Sequence, residues 1–205
     1  MSNTKRLLIT LPMLVLMAGL LIVGAYSALQ PRIERNKREA FEKIYIDTLQ
    51  LDRKIAIQLD SISANDTDQL GLRSPQLIYI ARQNSRIAGV VLPLTAREGY
   101  AGDINLLLGV DTSGNIISVT VISQHETRNL GDKIKRENSN WLDQFHGISF
   151  NEEQKPQWQL RKEGGAFDGI TGATVTAHAV VQAVQQGLAY FELHRSQLLN
   201  EKRDE

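Results

Sequence analysis

The stretch Ile104-Asn105-Leu106-Leu107-Leu108-Gly109-Val110, Asp111-Thr112-Ser113-Gly114-Asn115, Ile116-Ile117-Ser118-Val119-Thr120-Val121-Ile122 decides the fold class. Two runs rich in β-branched residues and leucine flank an Asp/Gly turn, the pattern of an antiparallel hairpin. A second pair lies upstream. There Leu77–Arg82 and Ile87–Leu94 bracket the turn Gln83-Asn84-Ser85-Arg86. Downstream the period changes. From Ala177 onward, Val180, Val184, Gly187, Leu188 and Phe191 share a helical face. Strand pairs followed by a helix predict an α+β chain, with an antiparallel sheet and helices packed against it.

The N-terminus carries a different signal. Leu7 to Leu29 is 23 residues without a charge. As a helix it would be roughly 34 Å long, enough to cross a bilayer's hydrocarbon core. Ala25-Tyr26-Ser27 offers a small-x-small exit, but the apolar run is longer than a signal peptide's core. The segment therefore predicts a single uncleaved transmembrane helix over 7–29, after an N-tail of residues 1–6. Lys5 and Arg6 precede the run; Arg32, Arg35, Lys37, Arg38 and Lys43 follow it. Taken alone, that count puts the C-terminal domain in the cytoplasm. Ile33, Phe41, Ile44, Leu49, Ile55 and Leu59 recur among charges and predict a helical stalk over 30–60. Residues 61–98 are expected to hold a polar linker (Ser61–Ser74) and the first hairpin. Residues 99–195 form the main domain and 196–205 a solvated tail.

The 205 residues include 23 basic and 23 acidic side chains, so the net charge is zero. A nucleic-acid binder would need a basic surplus. There is no cysteine, which excludes thiolate metal sites, iron–sulfur clusters, thiol catalysis and disulfides. Electron transfer by this chain would need an organic cofactor. His125, His146, His178 and His194 show no metal-ligand spacing.

Asp168-Gly169-Ile170-Thr171-Gly172-Ala173-Thr174-Val175-Thr176 puts three hydroxyls and two glycines ahead of the helical pattern. Unpaired N–H groups and the dipole of a helix start favour a phosphate there. Gly172 is free to take φ > 0 and lets a bulky group approach the backbone. Thr174 or Thr176 is placed to cap a helix beginning near Ala177. The bland alternative is a turn and a cap, nothing more. No Walker or GxGxxG pattern is present.

Asp168-x-x-Thr171-Gly172-Ala173-Thr174 resembles, at every fixed position, the Asp-x-x-Ser/Thr-Gly-Ala-Thr motif of covalent FMN-binding domains. A second segment is similar too: Gly99-Tyr100-Ala101-Gly102, then His125-Glu126-Thr127-Arg128-Asn129-Leu130-Gly131-Asp132-Lys133. It departs in having Arg128-Asn129 where Pro-Gly is usual, and Asn tolerates the left-handed backbone that Gly would supply. The matched region runs from Gly99 to Phe191.

The resemblance implies one FMN, joined through its phosphate to the Thr174 hydroxyl by a flavin transferase. Thr176 would be a second phosphate partner and Asp168 a recognition element for the transferase. Thr171, Gly172 and Ala173 would complete the turn. Glu126, Thr127, Leu130 and Gly131 would border the flavin, with Glu126 and Thr127 as hydrogen-bonding candidates. Trp141, Phe145, Trp158 and Phe167 read as core.

With its single N-terminal span, the whole chain is similar to the G component of Rnf/Rsx-type ion-translocating electron-transport complexes. The C component of the sodium-translocating NADH:quinone reductase shares both motifs. The resemblance implies a membrane-anchored electron-relay protein without independent catalysis, within a complex that couples ferredoxin and NAD redox chemistry to ion translocation. Its partners would be the other membrane and redox components of the complex, the flavin transferase and the lipid bilayer. It also implies a bacterial inner-membrane, single-pass placement with a periplasmic domain, against the charge count. The competing readings are a tethered non-redox scaffold or adaptor, and a protein of the C-component type of the sodium-translocating NADH:quinone reductase.

Overall fold

A computed structural model describes residues 42–52, 55–64, 67–150 and 157–200, together with Met17, Gly19, Tyr26 and Ala40. The chain divides into two compact units, Met1–Ile44 and Tyr45–Glu205. The second unit contains a five-stranded sheet and a 27-residue helix, Thr174–Asn200. The strands are β1 (Ile57–Ser63), β2 (Leu77–Gln83), β3 (Arg86–Ala96), β4 (Ile104–Val110) and β5 (Ile116–Ser123). Every neighbouring pair is antiparallel and the spatial order is the chain order, a meander.

Local chemistry explains the two hairpins. At the β2–β3 turn Asn84 and Ser85 both have positive φ, 53° and 63°. That is the demand of a two-residue type I′ turn, whose twist suits the flanking strands. At the β4–β5 turn Asp111 Oδ1 accepts from the Ser113 and Asn115 amides at 2.8 and 2.9 Å, and Gly114 supplies φ 93°. Burial pushes the Asp111 carboxyl up. Hydrogen bonds from the Asn115 side chain and from the Asn115, Ser113 and Gly114 amides outweigh it and hold the group below its ordinary value.

β1 departs from the sequence reading, which puts the end of a stalk and the start of a linker there. Ile57–Ser63 pairs along its whole length with Leu77–Gln83. Ile57 and Leu59 pack into a cluster with Tyr45, Leu49, Ala81, Val91 and Leu107. Asp60 accepts from Arg82 Nε on β2 at 2.6 Å. Pairing across strands overrides the polar local composition.

The membrane reading needs correction. Among the described residues no helix is long and apolar enough to cross a membrane. The helix Thr174–Asn200 has the length but carries Glu192, His194, Arg195 and several glutamines, and a span needs a nearly continuous apolar surface. The expected transmembrane helix over 7–29 lies, apart from Met17, Gly19 and Tyr26, outside the described residues. The expected single N-terminal span is therefore not part of the described fold. The membrane-anchored role and the single-pass inner-membrane placement with a periplasmic domain rested on it and go with it. The tail from 201 also lies outside the described residues.

Both faces of the sheet are covered. On one, the long helix buries Val180, Val184, Leu188 and Phe191 in the cluster that holds Ile80, Leu92, Leu94, Leu106 and Leu108. Close approach is possible because Gly187 faces Leu94 and Leu108; a Cβ there would lie 2.7 Å from Leu94 Cδ2. On the other face, the helical turn over 45–48 and Leu49 dock on two glycines. A Cβ on Gly89 would lie 2.8 Å from Leu49 Cδ2, and one on Gly109 2.7 Å from the Thr48 carbonyl oxygen. Ser118 Oγ donates to that same carbonyl at 2.7 Å. β3, central in the sheet, is buried from Gly89 to Ala96.

These contacts give unequal costs for equal changes. Gly109→Ala forces a methyl against a fixed backbone carbonyl and is expected to lose about 1–3 kcal/mol in urea unfolding. Gly187→Ala presses on the buried Leu94 and Leu108 methyls, which can give way more than a backbone carbonyl, and it regains helix propensity, so its loss should be smaller, about 1 kcal/mol. Asp111 contributes in a pH-dependent way. Its folded-state pKa is lowered, so its stabilisation is full above the unfolded-state value and is lost as pH falls through the folded one. Asp111→Asn should flatten that acid limb of the stability profile.

Candidate functional site

The site is built where three segments meet at the start of the long helix. The carboxyl group of Glu126, itself buried, joins them. Its Oε1 accepts from the Ala101 amide at 3.0 Å and its Oε2 from the Thr176 hydroxyl at 2.6 Å. Gln124 Oε1 accepts from the Glu126 amide. Two glycines make room for the carboxyl. A Cβ on Gly99 would stand 2.9 Å from Oε1, and one on Gly131 2.7 Å from Oε2. After Glu126 the chain curls. The amides of Leu130 and Asp132 both donate to the Thr127 carbonyl, at 3.2 and 3.3 Å. Asn129 adopts φ 61°, the left-handed backbone expected where the related motif has Gly.

The turn Ile170-Thr171-Gly172-Ala173 closes with the Ala173 amide donating to the Ile170 carbonyl at 2.9 Å, and Gly172 takes φ 80°. Gly at this position suits a type II turn. A Cβ there would also press on Leu130 Cδ2, at 3.0 Å. The Ala177 amide donates to the Ala173 carbonyl at 3.1 Å. The helix thus begins at Thr174, one turn before the expected Ala177, and neither Thr174 nor Thr176 is its N-cap. Ala173 holds that position and has no side-chain acceptor to offer. The amides of Thr174, Val175 and Thr176 therefore have no acceptor within the helix.

Aromatic residues buttress the turn from behind. Phe145 stacks on Phe167 at 5.0 Å between centroids, and Trp158 lies 4.8 Å from Phe167. Trp141 Nε1 donates to the Asp168 carbonyl at 2.8 Å, and the Asp168 amide donates to Gln144 Oε1 at 2.7 Å. Asp168 is held on its other side by Arg161, 3.1 Å away.

A concavity of about 510 Å³ opens over the helix start. It is lined by Tyr100, Glu126, Thr127, Leu130, Gly131, Gly172, Ala173, Thr174, Val175 and Thr176. Its size is that of a small-molecule site. Eight of the residues that the sequence motifs mark line it. Asp168 and Thr171 do not. They line an adjacent concavity of about 480 Å³ with Lys133, Trp141 and Gln144. His125 is exposed and lines neither. Thr174 is half-buried, while Thr176 is fully buried with its hydroxyl committed to Glu126.

Three contributors escape the sequence reading. Tyr100, 72% exposed, Leu130 and Val175 form an apolar rim, yet the motifs mark only Leu130 as a site residue. Tyr100 lies in the Gly-Tyr-x-Gly element, and that is its signal. Val175 lies just past the last fixed position of the threonine motif. Lys162 Nζ donates to Thr174 Oγ1 at 3.0 Å, and nothing in the local sequence marks it.

A family model described as an FMN-binding domain matches residues 99–189. The G component of the ion-translocating oxidoreductase complex of Pseudomonas aeruginosa is 35% identical over 203 residues, covering 97% of this chain and 95% of the relative. The protein of the same name from Shewanella loihica is 40% identical over 139 residues, covering 68% of this chain and 66% of the relative. The crystal structure of Shewanella oneidensis NqrC matches with a TM-score of 0.52 at 22% identity, over 74% of this chain and 72% of that one, a likeness of fold. The family-model match gives the chain an FMN-binding domain, the class of a flavoprotein. At the level of the whole chain, the protein belongs to the family of G components of ion-translocating oxidoreductase complexes.

The carboxyl at the centre of the site should be costly to remove. Glu126→Ala leaves the Ala101 amide and the Thr176 hydroxyl without their shared acceptor. It is expected to lower the unfolding free energy by roughly 2–4 kcal/mol, read by tryptophan fluorescence in urea. Glu126→Gln keeps one acceptor and should lose less than half as much.

Proposed function

We propose that FMN is joined through its phosphate to Thr174 Oγ1. The chain then serves as the flavin-bearing component of a multi-protein, ion-translocating redox complex of the Rnf/Rsx type. The observation that carries this reading is the position of Thr174. Among the three motif hydroxyls, it alone lies on the 510 Å³ concavity with its oxygen uncommitted to the core.

The residues present fit the group. A phosphate at Thr174 would meet the open amides of the helix start and the positive end of the helix dipole. Tyr100, Leu130 and Val175 offer exposed apolar surface for a planar ring system beside it. Glu126 keeps its carboxyl engaged within the protein, so its part is to fix the cavity wall. Thr176 acts with it and stands behind the phosphate position as a strut. Thr127 sets the loop through its carbonyl, and Gly131 and Gly172 keep the walls clear. The bound flavin supplies one- and two-electron exchange, which the protein positions and tunes electrostatically. Covalent attachment would keep the group at a permanently high local concentration.

A flavin transferase is the maturation partner in this reading, with Asp168 and Thr171 presented to it from the neighbouring concavity. The relatives are by name components of an ion-translocating oxidoreductase complex, which supports the assignment to such an assembly.

Intact-mass spectrometry of the full chain, coproduced with a flavin transferase, tests the attachment. The wild type should gain one FMN less one water, and Thr174→Ala should gain nothing. An unmodified wild-type chain would favour the non-redox scaffold instead.

A further inference from the structure

Lys162 is the residue that this fold sets against Thr174 without any obvious structural need. It lies in the short 3-10 helix Arg161–Glu163, exposed to solvent. The loop carrying it is tightly built. The Arg161 amide donates to the Phe167 carbonyl at 2.8 Å, Leu160 bridges Phe167, and Gly164 turns the chain with φ 89°. A Cβ on Gly165 would stand 2.0 Å from the Gln159 carbonyl oxygen, so the loop's path admits little else there.

The charges on this loop divide unequally. Arg161 meets Asp168 at 3.1 Å, and Glu163 meets His178 at 3.7 Å. Lys162, between them, meets no carboxylate among the described residues. Its ammonium donates instead to a neutral hydroxyl, Thr174 Oγ1, at 3.0 Å. A lysine head left exposed gains little from one neutral acceptor and loses side-chain freedom in holding it. The arrangement makes physical sense when an anion forms at that oxygen. The amides of Thr174, Val175 and Thr176, which no carbonyl within the helix accepts, lie at the same helix start.

From this geometry we infer that Lys162 is the positioning residue for flavin attachment at Thr174 and the counter-ion of the resulting phosphodiester. The assignment rests on the attachment proposed above. Before attachment, Lys162 holds one lone pair of Oγ1 and fixes the Thr174 rotamer, leaving another lone pair facing the concavity. In the attachment step the Oγ1–phosphorus bond forms and a phosphoanhydride bond of a flavin dinucleotide breaks. A nucleoside monophosphate leaves, and the Thr174 proton goes to a base of the transferase. The product carries one negative charge beside the helix start, and the lysine's single positive charge offsets it. His178, one helical turn after Thr174, faces Glu163 and is not the group in contact with Oγ1.

The test follows the time course of mass gain by purified, unloaded full-length chain, incubated with a flavin transferase and flavin dinucleotide. Lys162→Met should lower the loading rate roughly 10- to 100-fold, the range a charge-assisted hydrogen bond commands. Its urea midpoint should match wild type. Lys162→Arg, which keeps the charge and a donor, should restore most of the rate. A second readout is independent of rate: the phosphorus-31 resonance of the loaded chain should move between wild type and Lys162→Met and return toward wild type in Lys162→Arg. Loading of Lys162→Met at the wild-type rate, or a phosphorus resonance that is the same in wild type and Lys162→Met, overturns the assignment of Lys162 and leaves attachment at Thr174 standing. A wild-type chain that never gains FMN overturns both.

Discussion

The buried carboxyl of Glu126 is the constraint on which the site depends. It accepts from the amide of one loop and from a hydroxyl on the first turn of the long helix, and it begins a second loop itself. Remove it, and three segments lose the only point at which they meet through side-chain chemistry among the described residues. The surrounding glycines follow from this bond. Gly99 and Gly131 each stand where any side chain would collide with one of its oxygens. Glu126 fixes the identity of Gly131, while at Gly99 the Gly102 carbonyl oxygen, 2.3 Å from a Cβ, adds to it; backbone strain requires neither. Neither residue is among the positive-φ glycines.

The concavity is therefore a property of rigid parts. While the site is closed the helix start has one position, because Thr176 is tied to Glu126 and the helix body is keyed to β3 and β4 through Gly187. Behind it, the stacked Phe145, Phe167 and Trp158 support the turn from Asp168 to Ala173. The sheet is clamped from its other side by the Thr48–Leu49 turn lying on Gly89 and Gly109. A site on such elements holds its groups in fixed positions before any ligand arrives, which limits the ordering cost of binding.

The sequence exposes what is local and hides what is made by closure. Both hairpins are readable because alternation and turn residues are short-range signals. Asn129 is readable for the same reason, as a residue tolerant of positive φ. β1 is not: Ile57-Gln58-Leu59-Asp60-Ser61-Ile62-Ser63 reads as polar, and only its pairing with β2 makes it a strand. The three motif hydroxyls look alike in sequence. Thr174 and Thr176 lie two residues apart on a helix, so their side chains point about 200° apart, and one faces the concavity while the other enters the core. That distinction needs the true helix start. Lys162 owes its place to a loop closed by Phe167 and Gly164. The apolar run over 7–29 suggests a membrane span from composition alone, and no described helix has that character.

The meander order of the sheet separates two kinds of folding cost. Each strand pairs with its nearest neighbour in the chain, so the sheet has low contact order and closes only short loops. The site is the opposite. Glu126 and Thr176 are 50 residues apart along the chain, and their bond must be repaid against a much larger loop-closure entropy. Hydrogen exchange should divide the molecule along that line. Amides at the helix start and the Thr127–Gly131 loop would open at a lower free energy than those of β3 and β4. The part of the protein that meets a cofactor is then also the part whose local opening leaves the rest of the domain folded.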